Sequence, residues 1–180
     1  MKRSAFNISF VALMSCFICI CAQIALPIGG VPLTLQTFAV AFCGYSLGKY
    51  RGTLACLLYL ALGAIGLPVF AGFSASFAFL FGPTGGVLFG FLILSFFCGL
   101  PSIQSSLVFS ILISAIGLLL CHFLGILWFS YVGNLSVINS FLVSSLPFLL
   151  KDMISLLFAR ILFSKIQQRL PRLSFFRNKT

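Results

Sequence analysis

The sequence predicts an all-α integral membrane protein, a bundle of six transmembrane helices with a long extracellular hairpin between the third and fourth. Three observations lead there. The 180 residues are 61% hydrophobic with a mean hydropathy of +1.22, outside the range of soluble globular chains. Breaks rich in Pro and Gly, which cannot continue a helix, separate the apolar runs. Nine of the eleven Lys and Arg residues lie at the chain ends or in one short turn, a topology signal rather than the basic and aromatic pattern of a nucleic-acid groove.

The first span runs from about Ile8 to Leu26, behind Lys2 and Arg3. Such a start also fits a signal peptide, and the stretch LMSC at 13–16 is like a lipoprotein cleavage site. Met is poor at the middle of such a site, however, and more membrane helix follows. Ala12 and Cys16, with Ser15 beside them, give this span a small-xxx-small face. That face suits either a neighbouring helix of the chain or a docking partner. After the break PIGGVP at 27–32, the second span covers about Leu33 to Leu47, its first turn carrying Thr34, Gln36 and Thr37. A basic turn from Gly48 to Gly52 leads to the third span, about Thr53 to Ile65, with Tyr59 midway.

The next stretch, Gly66 to Gly90, holds two prolines, six glycines and three small hydroxyl residues. Irregular backbone cannot face lipid, where each unpaired polar group costs several kcal/mol, so it is read as a lid or pocket wall. The fourth span covers about Gly85 to Leu100 and the fifth about Ser105 to Phe129. A short interfacial or re-entrant helix is expected from Val137 to Leu146. Pro147 opens the sixth span, to about Ile166, since proline suits a helix's first turn. At roughly 20 residues per span, the second and third are short. Residues 1–166 thus form the membrane domain and 167–180 a basic tail. An even span count puts both termini on one side, and the positive-inside rule makes that side cytoplasmic. The hairpin and the PIGGVP turn then face outward.

With topology accounting for most of the cations, Lys151, Asp152, Arg160 and His122 remain. Asp152 is the one acidic residue in the chain, and an ionisable group inside a membrane points to function. A purely structural pairing of Asp152 is the alternative. Neighbours on a helix point about 100° apart, so Lys151 and Asp152 are expected to address different groups rather than each other. Arg160 is expected to snorkel toward the cytoplasm or meet a partner, and His122 to pack with a hydrogen bond. Enzymatic chemistry lacks its parts. A single carboxylate gives no acid–base pair, no nucleophile-elbow serine is present, and the seven cysteines all lie in apolar runs, where they act as small hydrophobes. No metal or cofactor is expected. The stretch GYSLGKY at 44–50 imitates a phosphate loop, but it is one residue short between its glycines and lacks Ser or Thr after Lys. If the protein moves solute uphill, the energy must come from another subunit or an ion gradient.

The stretches PLTLQTFAV at 32–40, LYLALGAIGLPVFAG at 58–72 and GPTGG at 82–86 resemble the BioY family, the biotin-specific substrate-capture (S) components of energy-coupling factor transporters. The resemblance covers most of the chain. It implies a bacterial cell-membrane protein with an outward-facing biotin pocket, closed by the loops after spans 1 and 3 and floored by spans 4 to 6. It also implies partners: a transmembrane coupling protein that docks on the Ala12 and Cys16 face, and ATPase subunits that alone bind ATP. Where the family opens its last span with PF-x-x-GD-x-x-K, this chain reads PFLLKDMIS at 147–155. Asp152 is kept, Lys151 replaces the Gly, and Ser155 stands where Lys is expected. In the hairpin, FSAS at 73–76 replaces a second glycine run.

Biotin's chemistry suits these residues. An ionised Asp152 can take the N–H edge of the ureido ring, with Gln36, Ser74 or Thr84 near its carbonyl and Thr34 close by. Tyr59, Phe70 and the hairpin backbone at Ala71, Gly72 and Gly85 offer an apolar slot. Lys151 would meet the valerate carboxylate in place of the missing family Lys, with Ser155 one turn on. Two alternatives are a secondary transporter of another small carboxylate, for which no inverted repeat is visible, and a solitary biotin transporter without an ATPase module.

Overall fold

Backbone N–H and C=O groups in an apolar chain must be satisfied internally, and helices do most of that here. The computed structural model describes residues 2–28, 31–102 and 104–169. Its elements in order are α1 (Lys2–Gln23), β1 (Ala25–Ile28), β2 (Val31–Thr34), α2 (Gln36–Leu47), α3 (Lys49–Ala64), α4 (Phe77–Leu80), α5 (Gly85–Gly99), α6 (Leu107–Gly133), α7 (Val137–Ser144) and α8 (Leu146–Arg169).

The expected all-α chain carries one exception. Strands β1 and β2 pair antiparallel, Ala25 opposite Thr34 and Ile28 opposite Val31, so the PIGGVP break is the tip of a small ribbon. Gly29 and Gly30 of that turn, and the tail from 170 onward, lie outside the described residues. Because Leu33 and Thr34 belong to β2, the second helix begins three residues later than expected, at Gln36. The third begins earlier, at Lys49. Gly48 alone makes the sharp turn, with φ 80 and ψ 174, a conformation that costs glycine little. Helix α8 runs on past 166 to Arg169.

At the centre sits α2, packed against α1, α3, α5 and α8. Small residues permit this: a Cβ on Gly44 would collide with the Ser95 carbonyl of α5. One end of the bundle gathers the ribbon, the 66–84 hairpin, α7 and the start of α8. Cross-links there include Trp128 Nε1 donating to Gly82 O at 3.0 Å and Lys151 Nζ donating to Thr34 O at 2.9 Å. The opposite end holds the Gly48 turn, residues 104–106 and the end of α8, where Arg160 Nη2 donates to Ser105 O at 2.9 Å. Among the described residues, α6 alone is long and apolar enough to cross a membrane by itself. The pair α7 and α8 meets that test together, bent by 49°.

Candidate functional site

A charge withdrawn from water needs partners, and Asp152 has them on two helices, α6 and α8. It is 5% exposed. Its Oδ2 lies 3.2 Å from Nε2 of His122 on α6, while Oδ1 faces the Lys151 ammonium. His122 Nδ1 is 2.9 Å from the Ser145 hydroxyl at the α7–α8 junction. Lys151 is tied to the ribbon through the Thr34 carbonyl. On the ribbon side, Thr34 Oγ1 donates to Gln36 Oε1 at 2.9 Å, and Gln36 Nε2 donates to Tyr59 OH at 2.6 Å. A line of polar groups thus runs from α3 through α2, the ribbon and α8 to α6.

These groups open onto one cavity of about 630 Å³, its mouth included. Thr34, Gln36, Thr37, His122, Lys151 and Asp152 make its polar side, and Phe70, Phe79, Leu88, Phe91 and Phe148 its apolar side. A few convergent polar groups in an otherwise apolar hollow is the usual make-up of a small-molecule site.

The hairpin supplies the cover. Phe70 is fully buried, edge-on to Tyr59 at 5.5 Å and stacked on Phe79 at 5.2 Å. Its ring occupies the space where a Cβ on Gly63 would stand, which is why α3 carries a glycine there. Gln23, at the end of α1, pins the segment with its amide: Nε2 donates to Val69 O at 3.1 Å and Phe70 O at 3.0 Å. Its Oε1 accepts from Phe73 N at 2.9 Å.

Of the residues singled out from sequence, Thr34, Gln36, Phe70, Ala71, Thr84, Lys151 and Asp152 line the cavity. Tyr59 stands behind its wall, holding Gln36. Gly72, exposed at φ 69, turns the hairpin's outer side. Ser74 contributes its carbonyl to Phe70 N at 3.0 Å rather than a hydroxyl to the cavity. Gly85 lets α5 start against the Leu80 carbonyl, and Ser155 is buried in α8 outside the cavity lining. On α1, Cys16 is exposed and Ala12 partly so, flanked at helical spacing by Ile8 at 67% and Ile20 at 64% exposure. That face points away from the bundle while Ser15 points into it, so among the described residues the small-residue face is largely uncovered.

Two expectations need correction. Lys151 and Asp152 do serve each other, because the four-carbon stem of Lys151 bends across the angle that separates their Cα–Cβ bonds. Arg160 does extend toward the basic end, to Ser164 and Ser105, but instead of emerging there it stays 4% exposed, with its guanidinium 5.8 Å from the Tyr45 ring centroid. Sequence reasoning also missed Phe79, Phe91 and Phe148, the rings that join Phe70 on the apolar side, as well as the carboxylate contact of His122 and the anchoring role of Gln23. The signal available for Gln23 was its place as a neutral polar residue closing an apolar run.

The BioY family profile matches residues 1–172. The chain is similar to the probable biotin transporter BioY of Pyrococcus horikoshii, 39% identical over 161 residues, or 89% of this chain and 96% of that one. It is likewise similar to the biotin transporter BioY of Thermotoga maritima, at 37% over 148 residues, covering 82% and 87%. Its fold matches the crystal structure of the S-component for biotin from an ECF-type ABC transporter, with a TM-score of 0.85, 27% identity and 93% of both chains covered.

Proposed function

The chain belongs to the BioY family, a family of membrane proteins, and on that premise we propose that it is the biotin-capturing S component of an energy-coupling factor transporter. It is a transport subunit, not an enzyme. One observation supports the reading above others: the chain's single carboxylate is buried at the polar side of a half-apolar cavity beneath a glycine-rich cover.

The arrangement suits biotin at each of its three parts. Asp152 Oδ2, aligned by His122, accepts the ureido N–H edge, and Thr84 or Gln36 approaches the ureido carbonyl. The bicyclic ring lies among Phe70, Phe79 and Phe91. Lys151, which neutralises Asp152 in the empty site, turns to the valerate carboxylate when the ligand arrives, so each charge is paired in both states. Gly72, Ser74 and Gly85 shape the cover rather than touch the ligand, and Ser155 and Tyr59 support the wall.

In this reading α1, α2, α3, α5, α6 and α8 are the six spans, and the cavity end faces outward. Support comes from charge placement: Lys49, Arg51, Lys165 and Arg169 lie toward the opposite end, the side that the positive-inside rule makes cytoplasmic. A transmembrane coupling protein docks on the outward face of α1 at Ala12 and Cys16, and ATP is used only by its ATPase subunits.

Equilibrium binding of labelled biotin to the purified chain tests the capture step. The wild type is expected to bind saturably, and Asp152→Asn to weaken binding roughly ten- to hundredfold, the worth of charge-assisted hydrogen bonds of about 1.5–3 kcal/mol. No binding by the wild type, or undiminished binding by the variant, overturns the assignment. Ala12→Trp tests docking. It is expected to abolish co-purification with the coupling protein while biotin affinity stays within about twofold; normal assembly would remove that face from the interface.

A further inference from the structure

Arg160 is buried in α8, and the chain's one acidic side chain, Asp152, is engaged two turns away with Lys151 and His122. No carboxylate of the described residues reaches Arg160. Its hydrogen bonds go to neutral oxygens, Nη1 to Ser164 Oγ at 2.8 Å and Nη2 to Ser105 O at 2.9 Å, and Nε has no partner. Tyr45 and Phe163 place their rings 5.8 and 5.7 Å away, which orients the guanidinium without neutralising it. A cation removed from water in this way calls for an anion.

The guanidinium also lines a separate hollow at the basic end, formed with Ser105, Leu107, Ser164, Gln167 and Gln168. Two further features there favour an anion. Helix α6, 27 residues long, begins in the hollow at Leu107, and a helix N-terminus attracts negative charge. Lys165 and Arg169 project from the same part of α8. Directly beyond Leu107 the surface of α6 becomes apolar and open, with Val108 68% and Leu112 60% exposed. An occupant with an anionic head and apolar tails meets both surfaces at once.

We propose that this hollow binds the phosphodiester headgroup of an anionic phospholipid of the cytoplasmic leaflet, gripped by Arg160, with its acyl chains lying along the Val108 and Leu112 face of α6. Planar Arg suits a phosphate better than Lys does, because its N–H groups match two phosphate oxygens together. The lipid would serve as the missing counter-charge, locking the end of α8 to residues 104–106.

Native mass spectrometry of the full chain, released from detergent after titration with phosphatidylglycerol or phosphatidylcholine, tests this. The wild type is expected to retain one phosphatidylglycerol with at least tenfold preference over phosphatidylcholine. Arg160→Gln should lose that retention at least tenfold, Arg160→Lys about threefold or more, and Arg169→Gln, at a residue that adds surface charge from outside the lining, less than either Arg160 variant. Should Arg160→Gln not fold, the lipid preference of the wild type and the Arg160→Lys comparison carry the test. Equal retention of both lipids overturns the proposal, as does undiminished phosphatidylglycerol on either Arg160 variant. So does protection against heat by inorganic phosphate equal to that by the lipid, since a free anion would then suffice. Loss of coupling-protein assembly in Arg160→Gln with lipid retention intact would also overturn it, assigning the cation to a protein carboxylate instead.

Discussion

The cavity has a floor and a cover, and they are held by different physics. On the floor, Asp152, Lys151 and His122 come from two long helices, the carboxylate paired with the Lys151 ammonium and in contact with the His122 imidazole. The cover is a glycine-bearing hairpin held by neutral hydrogen bonds, three at the Gln23 amide and others from Ser76 N to Gly63 O and Trp128 to Gly82 O, and by the stacked ring of Phe70. Loss of one member of a buried ion pair is costly, about 3–5 kcal/mol, whereas a neutral hydrogen bond contributes about 0.5–1.5 kcal/mol. The floor is therefore the costlier part to disturb, and the cover is the part expected to open. A capture protein needs that division, because a rigid cover would bar entry and a loose floor would lower affinity.

The largest effect that can break this contrast lies on the floor. Lys151→Met leaves Asp152 buried with His122 as its remaining ionisable partner and removes the tie to Thr34. Because the Lys151 side chain is 21% exposed, the expected cost is somewhat below the fully buried figure, about 2 kcal/mol. Thermal unfolding in detergent should show it as a lowered midpoint for the whole bundle. An unchanged midpoint would mean that the floor draws its order from helix packing, not charge.

The cover should respond locally. Gln23→Leu removes three hydrogen bonds to hairpin backbone, worth together about 1.5 kcal/mol at the low end of the net range, since the segment is partly open to solvent. Amide hydrogen exchange over residues 69–76 is expected to quicken roughly tenfold or more, while exchange in α2 and α8 stays as in the wild type. If the slow core exchanges faster in step, hairpin and bundle open as one unit and the distinction between floor and cover fails.

The same contrast explains which parts could be read from sequence. A lone carboxylate in a lipid-soluble chain is conspicuous, so Asp152 and its neighbour Lys151 stand out, as does a long small-residue hairpin that must be either packed or lining. What ties them together is long-range and leaves no local mark. Gln23 looks like any polar residue at a helix end. Phe79, Phe91 and Phe148 are three among 23 phenylalanines, and with nearly all faces apolar no periodicity says which rings turn inward. The ribbon at 25–34 escaped notice because four-residue strands around two prolines show no alternation. Arg160 was misread because snorkelling is the habit of cations near span ends, while here Tyr45, Ser105 and Phe163 converge from other parts of the sequence to enclose it.

The smallest effect sharpens the account of the floor itself. Ser145 is 1% exposed and is not itself part of the cavity lining, yet its hydroxyl meets Nδ1 of the lining residue His122, and Nε2 of that ring meets Asp152. Ser145→Ala strips one ring nitrogen of its partner and frees the imidazole to turn, without altering charge. An effect of about 1 kcal/mol is expected, read as roughly fivefold weaker biotin binding with a nearly unchanged unfolding midpoint. His122→Ala in the same assay should weaken binding at least as much, and adding Ser145→Ala to it should do nothing further, since the hydroxyl acts only through the ring. Additive losses in the double variant would show instead that Ser145 shapes the α7–α8 junction and that the carboxylate is aimed by helix geometry alone.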